Sequence, residues 1–252
     1  MSQSRICLVT GAGQGVGAAI ARRLSVQGHR VALVARGRDR LEAVAAELPS
    51  PALVVPADLT DASQIDAAFS AVEREWGSVE VLVANAGSGA AARLVDTTDE
   101  MWHDAIELNL TAPFRCIRRA LPSMLDASWG RIVAVASVVA KRGESQVSAY
   151  TASKHGVLGL VRAAASEVAR SGVTVNAVCP GYVDTPMTDA TVAAIAQRTG
   201  STPDEARDVL ARRQPIGRLV APDEVAETVE LCVRNGAING QGINVDGGAV
   251  QS

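Results

Sequence analysis

The stretch Ile6-Cys7-Leu8-Val9-Thr10-Gly11-Ala12-Gly13-Gln14-Gly15-Val16-Gly17, continued by AAIARRLSVQG over 18–28, decides the fold. Its first five residues are apolar or β-branched and read as a buried strand. Its continuation has helical periodicity. The glycines between them permit a tight turn and let backbone N–H groups approach a pyrophosphate. The helix that follows aims its positive dipole end at the same place. The spacing is G-x-x-x-G-x-G from Gly11, not the commoner G-x-G-x-x-G. Any tight strand-to-helix turn can use glycine. Here the loop follows a strand, opens a helix and begins a βαβ unit, and that setting assigns it to a dinucleotide. The expected contacts are Thr10, Gly11, Gly13, Gln14, Gly15, Val16 and Gly17.

Outward from this loop, short Val- and Ile-rich runs recur: VALVA (31–35), ALVVPA (52–57), VEVLVA (79–84), RIVAVAS (131–137), VTVNAV (173–178) and GINV (242–245). Longer helical patterns separate them. The order βαβαβαβαβαβαβ predicts an α/β protein, one doubly wound domain over 1–252 with a parallel sheet and helices on both faces. Thr97-x-x-Glu100 and Thr202-Pro203-Asp204-Glu205 read as capping boxes, the second with Pro at the first helical position. The segment 187–213 is polar and irregular and lies beyond a strand's carboxyl end, where ligands bind in open α/β sheets. It reads as a mobile lid; an ordinary helical insertion is the alternative.

Composition narrows the function classes. The chain has 252 residues, 48% of them hydrophobic and 20% charged, which excludes disorder and fibres. A net charge of −3 and 3% aromatics argue against nucleic acid and anionic membranes as partners. Cys7, Cys116, Cys179 and Cys232 have no CxxC spacing and do not cluster with histidine, so a metal site is not expected. No apolar run reaches the length of a membrane span, and the N-terminus lacks signal-peptide features. The expectation is a cytoplasmic protein with reduced thiols.

The second strand ends at Ala35-Arg36. Dinucleotide folds place a carboxylate there for the ribose hydroxyls. This chain has VALVARGRDR instead. Arg36, with Arg38 or Arg40 near it, offers a guanidinium to a 2′-phosphate, which favours NADP(H) over NAD(H). The same arginine argues against a S-adenosylmethionine enzyme. After the third strand, Asp58 and Leu59 are expected beside the adenine.

Tyr150 and Lys154 lie four residues apart in SAYTASKHGVLGLVRAAASEVA and share a helix face. A free phenol has a pKa of about 10, and lowering it by about 3 takes roughly 4 kcal/mol of differential interaction. A neighbouring ammonium and a positive nicotinamide ring are expected to supply that. The phenol then exchanges a proton with a substrate oxygen. Ser137, at the end of the fifth strand, can hydrogen-bond the same oxygen as charge develops.

These motifs together resemble the short-chain dehydrogenase/reductase superfamily over nearly the whole chain. The family's TGxxxGxG matches Thr10 to Gly17, and its NAG matches Asn85-Ala86-Gly87, with Ala84 where Asn is usual. Its catalytic groups match Asn109, Ser137, Tyr150 and Lys154. Its PG segment matches Pro180-Gly181, followed by Val183, Thr185 and Met187, and its terminal DGG matches Asp246-Gly247-Gly248. The resemblance implies a Rossmann-type sheet of seven strands in the order 3-2-1-4-5-6-7. It implies that Asn109 kinks its helix and holds a water, and that Val183 and Thr185 contact the nicotinamide carboxamide. It also implies pro-S hydride transfer and a homotetramer built through the helices near Asn109 and Ala149 and the C-terminal segment.

Within the superfamily, YTASKHGVLGL, GVTVNAVCPGYVDTPM and RQPIGRLVAPDEVAE resemble 3-oxoacyl-thioester reductases and polyketide ketoreductases. The expected substrate is a small ketone: a 3-oxoacyl thioester (CoA or acyl-carrier protein) or a related β-ketone, reduced with NADPH. The alternatives are a secondary-alcohol or 3-hydroxyacyl-CoA dehydrogenase and a non-catalytic dinucleotide sensor. Carrier-protein reductases often place basic residues where this chain has Ser128 and Ser171. Arg93, Lys141 and Arg142 are the remaining candidates for an anionic carrier or a CoA phosphate. The pocket is expected between the loop after Gly87, residues 138–148, Tyr182 and the lid.

Overall fold

The computed structural model describes residues 4–251. The elements run β1 (Ile6–Thr10), α1 (Gly15–Val26), β2 (Arg30–Ala35), α2 (Arg38–Ala46), β3 (Ala52–Pro56), α3 (Ala62–Glu75) and β4 (Val81–Ala84). They continue with α4 (Asp99–Ile106), α5 (Ala112–Asp126), β5 (Gly130–Val135), α6 (Ser148–Glu167) and β6 (Val173–Pro180). The chain ends with α7 (Pro186–Thr199), α8 (Pro203–Arg212), α9 (Pro222–Arg234) and β7 (Gly242–Val245). The strands form one seven-stranded sheet in the order β3-β2-β1-β4-β5-β6-β7. All six pairings are parallel. The expected Rossmann-type order is the observed one.

Strand periodicity divides the core in two. Leu8, Ala32, Val34, Leu82, Ile132 and Val175 point to one face, where Phe69 of α3, Ile117 and Met124 of α5, and Val157 and Val161 of α6 cover them. Cys7, Val9, Val31, Leu33, Val83 and Val133 point to the other, under Ile20 and Leu24 of α1, Leu41 of α2, and Val225 and Val229 of α9. Both faces are therefore buried, as continuous apolar strands require. The chain reverses its winding between β1 and β4, and a crevice opens at their carboxyl ends.

Two local expectations shift and one holds. The first helix cap belongs to Thr98, whose hydroxyl accepts the Met101 N–H at 3.2 Å, while Thr97 donates to the Arg93 carbonyl at 3.1 Å. The second capping box forms as read, between Thr202 and Glu205. β5 stops at Val135, so Ser137 lies two residues beyond the strand and opens a short 3₁₀ turn, Val138–Ala140.

The segment 187–213 is not irregular. It holds most of α7 and all of α8, with Gly200 left-handed at φ 70° after α7. Only Thr188 and Val192 are buried in α7, too sparse a stripe for a helical period to be read. Val192, Ala206 and Leu210 form a small core of their own, with Tyr182, Ile195 and Leu219 packed on it.

Because that core is separate from the two main ones, it is expected to open on its own. Leu210→Ala, costing about 2–5 kcal/mol at the site, is expected to speed amide exchange across 187–213 and leave β1 and β4–β6 protected. Uniform loss of protection would show that the segment has no separate stability.

Candidate active site

Glycine geometry builds the cradle above β1. Gly11 and Gly15 adopt φ of 65° and 54°, which disfavours any side chain. A Cβ on Gly17 would lie 2.2 Å from the Gly11 carbonyl oxygen. The first turn of α1 carries no acidic residue, and the side chain of its N-cap, Gln14, does not close it. Its N–H groups therefore face the crevice as an anion site. Gln14 instead accepts a hydrogen bond from Arg40 at 2.7 Å. This cradle fits a pyrophosphate.

Some expected contacts serve the scaffold. The Thr10 hydroxyl accepts the N–H groups of Asn85 and Ala86 at 2.9 and 3.0 Å. Asn85 Nδ2 donates to the Thr10 and Gly11 carbonyls at 2.9 and 3.3 Å. These bonds tie β1 to β4 beneath the cradle. The Asp58 carboxylate accepts from Thr60 N and Oγ1 at 3.0 and 2.7 Å. Those bonds, more than nearby Arg36, hold its pKa down. Leu59 is buried in the core on the α3 side. Arg36 is exposed at the end of β2, while Arg38 pairs with Glu42.

The catalytic candidates converge. A π-helical turn, Glu107–Thr111, interrupts the helix between α4 and α5 and carries the fully buried Asn109. The helix is thus distorted at the expected residue. Asn109 Oδ1 accepts the Ser88 N–H at 3.0 Å, and its Nδ2 donates to the Ser88 carbonyl at 2.8 Å. This fixes the loop after β4. A Cβ on Gly87 would lie 2.7 Å from Asn109 Oδ1 and 3.4 Å from Lys154 Nζ, so the loop approaches both. Lys154 is buried and donates from Nζ to the Val135 carbonyl at 2.9 Å. Its Nζ lies 5.6 Å from the Tyr150 ring centroid. Ser137 Oγ accepts the Val139 N–H at 3.3 Å and acts on the Tyr150 phenol to lower its pKa. A small cavity beside Tyr150 is lined by Ala90, Ala92, Thr97, Met101 and Gln146, so α4 joins the walls expected from sequence.

Burial governs the ionisation of both Tyr150 and Lys154. It raises the Tyr150 pKa, and Ser137 beside the phenol only partly offsets it. Burial also lowers the Lys154 pKa to about 8. Desolvation disfavours both charged forms.

Beyond β6, Val183 is buried and pairs with Val220 as an isolated parallel bridge. The Val183 carbonyl accepts from Thr185 and Thr188 hydroxyls at 3.3 and 2.5 Å. Thr185 abuts the glycine loop: a Cβ on Gly15 would meet its Cγ2 at 3.2 Å. Met187 is exposed on the first turn of α7. Gly89, where a Cβ would lie 3.3 Å from the Tyr150 ring, and buried Gln214, on the backbone of Tyr182, complete the site. Sequence reasoning missed Gln214, whose flanks are polar and carry no period. The three candidate carrier-binding cations are all engaged. Arg93 pairs with Asp96, Arg142 with Glu144, and Lys141 donates to the Gly242 carbonyl at 2.6 Å.

A family model described as short chain dehydrogenase matches residues 5–196. The chain belongs to this family of oxidoreductases. An actinorhodin polyketide ketoreductase crystallised with NADPH superposes with a TM-score of 0.95 at 40% identity, covering 99% of both chains. The 3-oxoacyl-(acyl-carrier-protein) reductase MabA of Mycobacterium tuberculosis is 40% identical over 247 residues, 97% of this chain and 92% of that one. The D-beta-hydroxybutyrate dehydrogenase of Cupriavidus necator is 35% identical over 258 aligned positions, 99% of each chain.

Tyr150→Phe is expected to keep the fold and dinucleotide affinity and to lose at least about 100-fold in turnover, the scale of a missing general acid. Stopped or steady-state kinetics beside a binding titration checks this. Retained turnover would take the phenol out of the chemistry.

Proposed function

We propose that this chain reduces the 3-oxo group of an acyl thioester, or a related β-ketone, to a secondary alcohol with NADPH. The observation that carries the reading is the meeting of Ser137, Tyr150 and Lys154 beside a glycine cradle that ends at Arg36. Two relatives support the substrate class, since their names place the reacting oxygen on the β-carbon. The NADPH of the ketoreductase structure supports the cofactor.

NADPH, when bound, supplies the hydride that reaches the carbonyl carbon. The chain's residues handle the oxygen. Ser137 donates a hydrogen bond to it, and Tyr150 gives its phenolic proton as the alkoxide forms. Because burial holds the phenol protonated, Tyr150 begins reduction as an acid. Lys154, poised by burial, stabilises the resulting phenolate and returns a proton toward it. Asn109 acts through Ser88 to keep the β4 loop against both groups. Oxidation of the alcohol uses the same groups in reverse. Glycine N–H groups and the start of α1 hold the pyrophosphate, Arg36 the 2′-phosphate, and Val183 and Thr185 the carboxamide.

α7 and α8 act as the lid over the substrate. The engaged state of Arg93, Lys141 and Arg142 disfavours a carrier protein, which leaves a CoA ester or a free ketone. Exposed Trp102 and Phe114, on α4 and α5, fit a homotetramer assembled through these helices. Among the described residues no helix is long and apolar enough to cross a membrane. Four free, buried cysteines suit the reducing cytoplasm.

Following NADPH absorbance with acetoacetyl-CoA, longer 3-oxoacyl esters and cyclic diketones tests the activity. No consumption with any ketone would contradict it. Arg36→Asp is expected to weaken NADPH binding about 10- to 100-fold, the range of a lost charge-assisted hydrogen bond, with NADH affected little. Unchanged NADPH affinity would remove Arg36 from the phosphate site.

A further inference from the structure

Resting on that reading, we propose that Gln214 is a positioning residue that fixes the nicotinamide-facing loop, residues 180–185, for hydride transfer. Gln214 lies just past α8 and is 1% exposed. Its Oε1 accepts the Tyr182 N–H at 2.9 Å. Its Nε2 donates to the Tyr182 carbonyl at 3.1 Å and to the Arg218 carbonyl at 2.7 Å. One side-chain amide thus reads both polar groups of a single peptide residue, as a neighbouring strand would. The Tyr182 carbonyl also accepts the Val220 N–H at 2.9 Å, so it is held from two sides.

The loop is shaped to receive this amide. A Cβ on Gly181 would lie 2.0 Å from Gln214 Oε1, and the next atom it would meet, Asp246 Cα, is 3.1 Å away. Gly181 has an ordinary φ, so the close approach and not the backbone angle demands the glycine. The preceding residue, Arg213, donates to the Tyr182 hydroxyl at 3.1 Å. Consecutive residues therefore hold the main chain and the ring tip of Tyr182. Immediately downstream come Val183 and Thr185, the latter against Gly15.

A buried amide is costly unless satisfied, and once satisfied it fixes one arrangement where an apolar residue would only fill space. Gln214 touches no reacting group; it acts through Tyr182. The geometry it sets matters, because misplacement by about 1 Å can cost about 100-fold in rate. It also joins the chain just past α8 to this loop.

The test uses the full chain with NADPH and the best ketone found. Gln214→Met keeps the length and removes the polar contacts. It is expected to lower kcat about 10- to 100-fold with ketone KM within about 3-fold. The isotope effect from NADPH deuterated at the transferred position is expected to rise, a signature that simple loss of folded protein does not give. Gly181→Ala leaves Gln214 in place and evicts its amide, and it is expected to reproduce the kcat loss and the isotope effect. If Gln214→Met fails to fold, Gly181→Ala decides the matter by the same readouts. Full kcat in either folded variant, or a loss without a larger isotope effect, overturns the proposal while the wild type's ketone reduction stands. A wild type that reduces no ketone takes down the functional reading and this inference with it.

Discussion

An ammonium buried at the end of a parallel sheet must find a partner or lose its charge, and Lys154 meets both pressures at once. Its Nζ donates to the Val135 carbonyl at 2.9 Å, and burial holds its pKa near 8. The contact ties α6 to the end of β5 one turn from Tyr150, while Val157 and Val161 pack the helix on the sheet. The loop after β4 closes the arrangement only because Gly87 has no side chain to strike Asn109 or Lys154.

The sheet explains why these groups share one crevice. Parallel strands deliver all their carboxyl ends to one edge, and the reversal between β1 and β4 parts the loops there. The glycine loop follows β1, Arg36 follows β2, Asn85–Gly87 follows β4, Ser137 follows β5 and Gly181–Thr185 follows β6. Their distances in sequence are large and their distances in space are small. Thr185 against Gly15 closes the ring from the far side.

Much of this was legible in the sequence, and the reasons are specific. A strand buried on both faces has to be a continuous apolar run, so ICLVT marked β1 at its observed bounds, and the half-buried GINV marked β7 at its own. Tyr150 and Lys154 were found because helix periodicity alone brings them together. What escaped reading depends on contacts distant in sequence. The pairing of Asn109 with Ser88 spans a loop and a helix. Gln214 meets Tyr182 across 32 positions, and nothing local marks it. Helix α7 escaped because its buried stripe, Thr188 and Val192, is thin. The side chains of Thr10 and Asp58 also bond backbone groups and a neighbouring threonine, contacts that motif spacing does not reveal. Burial raises the Tyr150 pKa, an effect that spacing does not show because it reveals the nearby cation and not how much water is removed.

The most direct test of the account is the ionisation of that one phenol. The chain has two tyrosines, Tyr150 and Tyr182, so an ultraviolet phenolate titration of the wild type minus Tyr150→Phe isolates Tyr150. Without nucleotide, the midpoint is predicted above the ordinary phenol value of about 10. With saturating NADP⁺, whose ring is positive, it is predicted to fall below that value. A midpoint that NADP⁺ leaves unmoved would contradict the account, because the proton exchange it describes would then lack its source of acidity.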